Sequence, residues 1–125
     1  NIQEMNFLPH DFNLTSNPSV GVASNDLGGS IRIASATANM YAQKLISKGK
    51  TITKVTVFGS ARFAFRVYEG FIFNDTTNLV GTGTANTELN ITDIVGTSRN
   101  YITIEIDVAS ASQEVYGGFA LVINT

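Results

Sequence analysis

Residues 100 to 108 read Asn-Tyr-Ile-Thr-Ile-Glu-Ile-Asp-Val, and Ile102, Ile104, Ile106 and Val108 alternate without a break with Tyr101, Thr103, Glu105 and Asp107. A side-chain period of two puts the first set on one face of a strand and the second on the other. Such a strand has a core side and a wet side, and most of the chain is written the same way. Residues 51–58 are rich in β-branched side chains (Ile52, Val55, Val57) and stop at Gly59. Phe63, Phe65 and Val67 alternate with Ala64, Arg66 and Tyr68, and Gly70 interrupts before residues 71–73 continue. A turn over residues 74–78 follows, then strands over 79–82, 87–91, 101–108 and 115–123. Gly117-Gly118 inside the last one signals a bulge or a close backbone approach.

The first third is less regular. Residues 1–18 carry Ile2, Met5, Phe7, Leu8, Phe12 and Leu14 without a clean period and end at Asn17-Pro18. They read as an extended arm with one short strand near residues 5–8, and these six side chains are candidate contacts with the chain's own domain or a neighbouring subunit. Short strands are expected at residues 20–23 and 30–34, separated by the turn chemistry of Asn25-Asp26 and Gly28-Gly29. In residues 36–46, Ala38 and Ala42, like Tyr41 and Leu45, fall at helical spacing, yet no capping box opens the segment. A strand over 40–46 is preferred to a short helix.

Eight or nine strands at short turn spacing are the pattern of an all-β, antiparallel two-sheet sandwich of jelly-roll type, here one domain over residues 19–125 after the arm. Its expected core is Ile31, Ile33, Val55, Val57, Phe63, Phe65, Val67, Ile91, Ile102, Ile104, Ile106, Phe119, Leu121 and Ile123.

The chemistry is quiet. Only 14% of residues are charged, against about 25% in typical domains, so uncharged Ser, Thr and Asn must keep the surface wet. That suits an extracellular or assembly-forming β-protein. The net charge of -2 excludes the basic footprint of a nucleic-acid binder. Lys44, Lys48, Lys50 and Lys54 read as edge lysines that discourage stray strand pairing. There is no cysteine for a disulfide or a thiolate metal site, and no apolar run nears the ~18 residues of a membrane span. His10, the sole imidazole, sits in the arm, a poor scaffold for a catalytic base. Glu105 and Asp107 share one polar face with nothing apolar nearby in sequence to raise a carboxyl pKa. Asn25-Asp26, Asn74-Asp75 and the Asn90/Asp93 pair follow no calcium-loop pattern. Gly81-Thr82-Gly83 reads as a flexible loop, and the sequons at Asn13, Asn74 and Asn90 occur at chance frequency. No catalytic, cofactor or metal residue is expected, and the chain reads as a non-enzyme. What remains is aromatic. Tyr68 and Tyr101 fall on polar strand faces, which makes them a candidate glycan-stacking pair, with Tyr41 and Tyr116 also available.

Several segments, in order, carry a likeness: residues 49–59, Phe65-Arg66-Val67-Tyr68-Glu69, Gly81-Thr82-Gly83, residues 87–94, Asn100-Tyr101-Ile102-Thr103-Ile104 and Glu114-Val115-Tyr116-Gly117-Gly118. Together they resemble a group of small virion structural proteins of tailed, often marine, bacteriophages. This chain departs from that pattern by Phe58 in place of the usual Tyr and by the lack of Pro before Lys48-Gly49. The resemblance implies a non-enzymatic β-sandwich on the phage particle surface, a capsid decoration or cement protein without a cofactor. Its partners would be capsid or other virion proteins and further copies of itself, a trimer being the expected oligomer. The alternative is a glycan-binding sandwich on a tail fibre or cell surface.

Overall fold

The computed structural model describes residues 2–14, 22–24, 29–33, 38–108 and 113–125. Among them, the strands in chain order are β1 (Ile2–Phe7), β2 (Asn13–Leu14), β3 (Val22–Ser24), β4 (Ile31–Ile33), β5 (Ala38–Ile46), β6 (Lys50–Gly59), β7 (Ala64–Phe71), β8 (Thr77–Thr84), β9 (Leu89–Val95), β10 (Asn100–Val108) and β11 (Val115–Asn124), with one 3-10 turn at Pro9–Asp11. One sheet runs β3-β4-β11-β6-β9, with β1 added alongside β11; the other runs β2-β5-β10-β7-β8. The described pairings are all antiparallel. This is the two-sheet sandwich of jelly-roll type that the alternation requires. β3 and β4 are the short strands expected near residues 20–23 and 30–34, and the two-residue β2 is the piece that was not expected. Among the described residues no helix is long and apolar enough to cross a membrane, which says nothing of crossing by strands.

β10 is the spine of the core. Ile102, Ile104 and Ile106 are completely buried and cluster with Met40, Ala42 and Ile46 of β5, Phe65 and Val67 of β7, and Ile52, Val55 and Val57 of β6. Burying one such side chain contributes about 1.5–3 kcal/mol. β5 is a strand along its whole length because β10 pairs with all nine of its residues, from Ala38↔Val108 to Ile46↔Asn100.

Residues 2–7 lie within the six-stranded sheet. β1 pairs with β11 from Ile2↔Ile123 to Phe7↔Gly118. Of the six apolar side chains expected to make arm contacts, Phe7 and Phe12 are buried in the chain's own core, 2% and 1% exposed, with ring centroids 6.3 Å apart. Met5 packs half-buried against that core. Ile2 and Leu8 are exposed. Leu14 lies in β2, its side chain outside the described residues.

Three readings of the sequence need correction. In β11 the apolar residues that enter the core are Val115, Ala120 and Val122, whereas Phe119, Leu121 and Ile123 stand half-buried on the opposite face. The cause is the register shift between Val115 and Gly117. One extra residue reverses the facing of everything after it, and Gly117 takes φ +134 there, where a Cβ would strike the Phe7 carbonyl. Second, Gly81-Thr82-Gly83 is strand, not loop: both glycines lie in β8. A Cβ on Gly81 would meet Ile91 and Leu89, and one on Gly83 would meet Phe65 and Leu89, so their missing side chains make room for β9 and the core. Third, Gly70 does not break β7, which runs on to Phe71. Of the remaining expected core residues, the side chain of Ile33 lies outside the described residues.

Candidate functional site

The outer face of the five-stranded sheet carries the polar half of each alternation. Register sets the rows. Arg66 of β7, Glu105 of β10, Tyr41 of β5 and Asn13 of β2 stand in one line across the strands; Tyr68, Thr103 and Gln43 form the next. Asp11 of the 3-10 turn and Asn13 close one side of this floor, and Thr77 at the start of β8 bounds the other. The result is an open groove of about 680 Å³, within the ~300–1,000 Å³ that takes a small-molecule-sized ligand.

Glu105 organises the floor. Although it stands on the outer face it is only 7% exposed, because its neighbours in the row lean over it. Oε1 accepts from Arg66 Nε at 2.6 Å and from the Tyr68 hydroxyl at 3.3 Å. Oε2 accepts from the Tyr41 hydroxyl at 2.7 Å and from Asn39 Nδ2 at 3.2 Å. Burial works to raise the Glu105 pKa, but the bonds from Tyr41 and Arg66, with the guanidinium charge, outweigh it and hold the carboxyl below its ordinary range. The partners respond in kind. The hydrogen bond to Glu105, then burial, push Tyr41 up to about 12. Arg66 is raised by the same carboxylate and also donates from Nη1 to Asp107 at 3.2 Å.

At the rim, Asp11 accepts from the Leu8 backbone N–H at 2.8 Å and pairs with Lys44 Nζ at 3.5 Å. Lys44 also lies 5.4 Å from the centre of the Phe7 ring. It occupies an inward-facing position of β5 where β2 has ended, an edge site, whereas Lys50 and Lys54, also expected at an edge, lie in β6 between β11 and β9. On the floor Gln43 Nε2 donates to Thr103 Oγ1 at 3.2 Å.

Tyr68 is in the groove. Tyr101 lies one pair further along the same face, opposite Gly70, and is not part of the lining. Its ring occupies the space that a Cβ on Gly70 would need, which is why a glycine sits inside this strand. Glu105 and Asp107 do share a face, but Arg66 bridges them and Glu105 is shielded from solvent. Sequence reasoning missed that shielding because it comes from neighbouring strands. It named Tyr41 only as an available tyrosine and left Gln43 unassigned. The signal was the parity of β5, where Asn39, Tyr41, Gln43 and Leu45 oppose Met40, Ala42 and Ile46. His10 is exposed in the 3-10 turn. Asn74 Oδ1 accepts from the Thr76 N–H at 2.9 Å, an Asx turn. Asn90 and Asp93 are exposed on β9, and Asn25-Asp26 lie outside the described residues.

No protein-family model and no curated protein matches the sequence. Solved structures match the fold. CsCBM6-3 of Clostridium stercorarium, a structure in complex with cellobiose, superposes with a TM-score of 0.61 at 16% identity, over 93% of this chain and 92% of that one. TmCBM61, in complex with β-1,4-galactotriose, superposes at 0.54 with 9% identity, over 94% and 91%. A family 6 carbohydrate-binding module superposes at 0.50 with 13% identity, over 96% and 92%. At these identities the likeness establishes the β-sandwich fold.

Proposed function

We propose that this chain is a non-catalytic carbohydrate-binding module that takes a glycan on the outer face of the five-stranded sheet, with Tyr41, Tyr68, Gln43 and Thr103 as contact residues. The observation that carries the reading is the open groove whose floor combines two tyrosines with a fixed polar network. Sugar rings have apolar faces that rest on aromatic rings and hydroxyls that need polar partners. The sandwiches it superposes on with TM-scores of 0.54 and 0.61 hold a galactotriose and cellobiose, which supports the same ligand class here. Hydrolysis is disfavoured by the same network. A glycosidase needs one carboxyl kept protonated, and Glu105 is held ionised by donors on both oxygens.

A glycan array followed by calorimetry tests this. Binding of at least one oligosaccharide is expected, with loss on Tyr68→Ala in a variant whose circular dichroism is unchanged. An array blank at high protein concentration removes the proposal.

Capsid decoration by self-association is the second reading. The observation that favours it is apolar surface on the outer face of the six-stranded sheet: Phe58 is 42% and Ile2 72% exposed, and the Phe58 ring lies 5.9 Å from that of Phe119. A strictly monomeric mass by light scattering, with no binding to phage particles, eliminates it.

A further inference from the structure

The groove has a hydrogen-bond polarity, and it follows from where the protons of its floor are spent. A carboxylate offers about four lone-pair sites, and Glu105 has four donors on it: Arg66, Tyr68, Tyr41 and Asn39. Two of those donors are the hydroxyls of the groove's tyrosines. Each phenol has one proton, so a tyrosine that donates to Glu105 has only oxygen lone pairs left for a ligand. The elevated pKa of Tyr41 keeps that proton on the phenol. Gln43 spends one of its two amide N–H donors on Thr103 and keeps its carbonyl oxygen as an acceptor. Asp11, at the rim, is an acceptor outright.

The cations are spent as well. Arg66 is held between Glu105 and Asp107, and Lys44 by Asp11. Among the described residues that line the groove there are two carboxylates and no cation. A carboxylate or sulfate on a ligand would therefore meet two carboxylates and the tyrosine lone pairs with no cation to receive it, a desolvation cost with little return.

Resting on the carbohydrate-binding reading, we propose that this groove selects uncharged glycans that donate hydrogen bonds through free hydroxyls, and discriminates against uronate- and sulfate-bearing ones. Glu105 is the positioning residue that sets this preference, acting through Tyr41 and Tyr68.

The test is an array carrying neutral, uronate-bearing and sulfated oligosaccharides, then calorimetry with the tightest neutral binder and its fully O-methylated form. Methylation removes donors and keeps acceptor oxygens, so affinity should fall about tenfold or more. Equal or stronger binding of acidic glycans, or of the methylated sugar, overturns the polarity inference and leaves the carbohydrate reading standing. A blank array overturns both. Glu105→Gln, which puts a donor where only acceptors stood, should narrow the neutral-over-acidic ratio several-fold; an unchanged ratio in the folded variant counts against Glu105 as the positioning residue. If that variant does not fold, the methylated and acidic ligands still decide the proposal on the native chain.

Discussion

Replacing Glu105 by alanine removes an acceptor that ties β10 to β5 and β7, and its cost can be worked from the geometry. The bonds at 2.6 Å from Arg66 and 2.7 Å from Tyr41 are charge-assisted, worth about 1.5–3 kcal/mol each. Those from Asn39 and Tyr68, at 3.2 and 3.3 Å, contribute less. Against them stands the desolvation of the carboxylate, which alanine does not bear. Removing one partner of a fully buried ion pair costs about 3–5 kcal/mol. Arg66 keeps Asp107 and its side chain is 28% exposed, so the net loss should be smaller, about 2–3 kcal/mol near neutral pH. For a domain of this size that lowers Tm by roughly 8–12 °C. The loss must also depend on pH. A carboxyl whose folded pKa is depressed stabilises above the unfolded value of about 4.3, and that contribution disappears as pH falls through the folded value. Tyr41 has the opposite sign: its raised pKa contributes fully below its ordinary value of 10.0 and is lost as pH climbs towards about 12. The difference between native protein and Glu105→Ala in urea unfolding should therefore be a plateau that shrinks at both the acid and alkaline ends. A loss under ~0.5 kcal/mol near neutrality, or a difference that stays constant into acid, refutes the network's role.

Other perturbations probe the remaining elements. Ile104→Ala, at the centre of β10 with no exposure, should cost about 2–5 kcal/mol in urea unfolding. Phe12→Ala should cost about 3–5 kcal/mol, because its ring is buried in the chain's own core; a loss near zero would mean that residues 2–14 are dispensable to the sandwich. Gly70→Ala places a Cβ against the Tyr101 ring and should cost about 1–3 kcal/mol, with a change in the near-ultraviolet circular dichroism of tyrosine. Spectrophotometric titration of the four tyrosines should show one ionising near 12, and that step should return to the ordinary range in Glu105→Ala.

Strand identity and facing were readable wherever the period of two ran unbroken. Residues 100–108 declare both faces of β10, and residues 63–68 do so for β7. Facing was not readable past Gly117, because a bulge depends on which partner strand holds the extra residue. Nor could the glycines of β8 be told from loop glycines, since their purpose lies in Ile91, Leu89 and Phe65. The site followed the same division. Tyr68 was legible from parity alone, while Glu105 looked like a carboxylate on a wet face.

Alternation along the backbone is a local property, so the order of residues alone determined an all-β sandwich with one polar and one apolar side to its long strands. Cross-strand register is not local. Only the folded sheet decided that Arg66, Glu105 and Tyr41, far apart in the chain, stand in one row, and that row is what shields a carboxylate, spends the tyrosine protons and gives the groove its character.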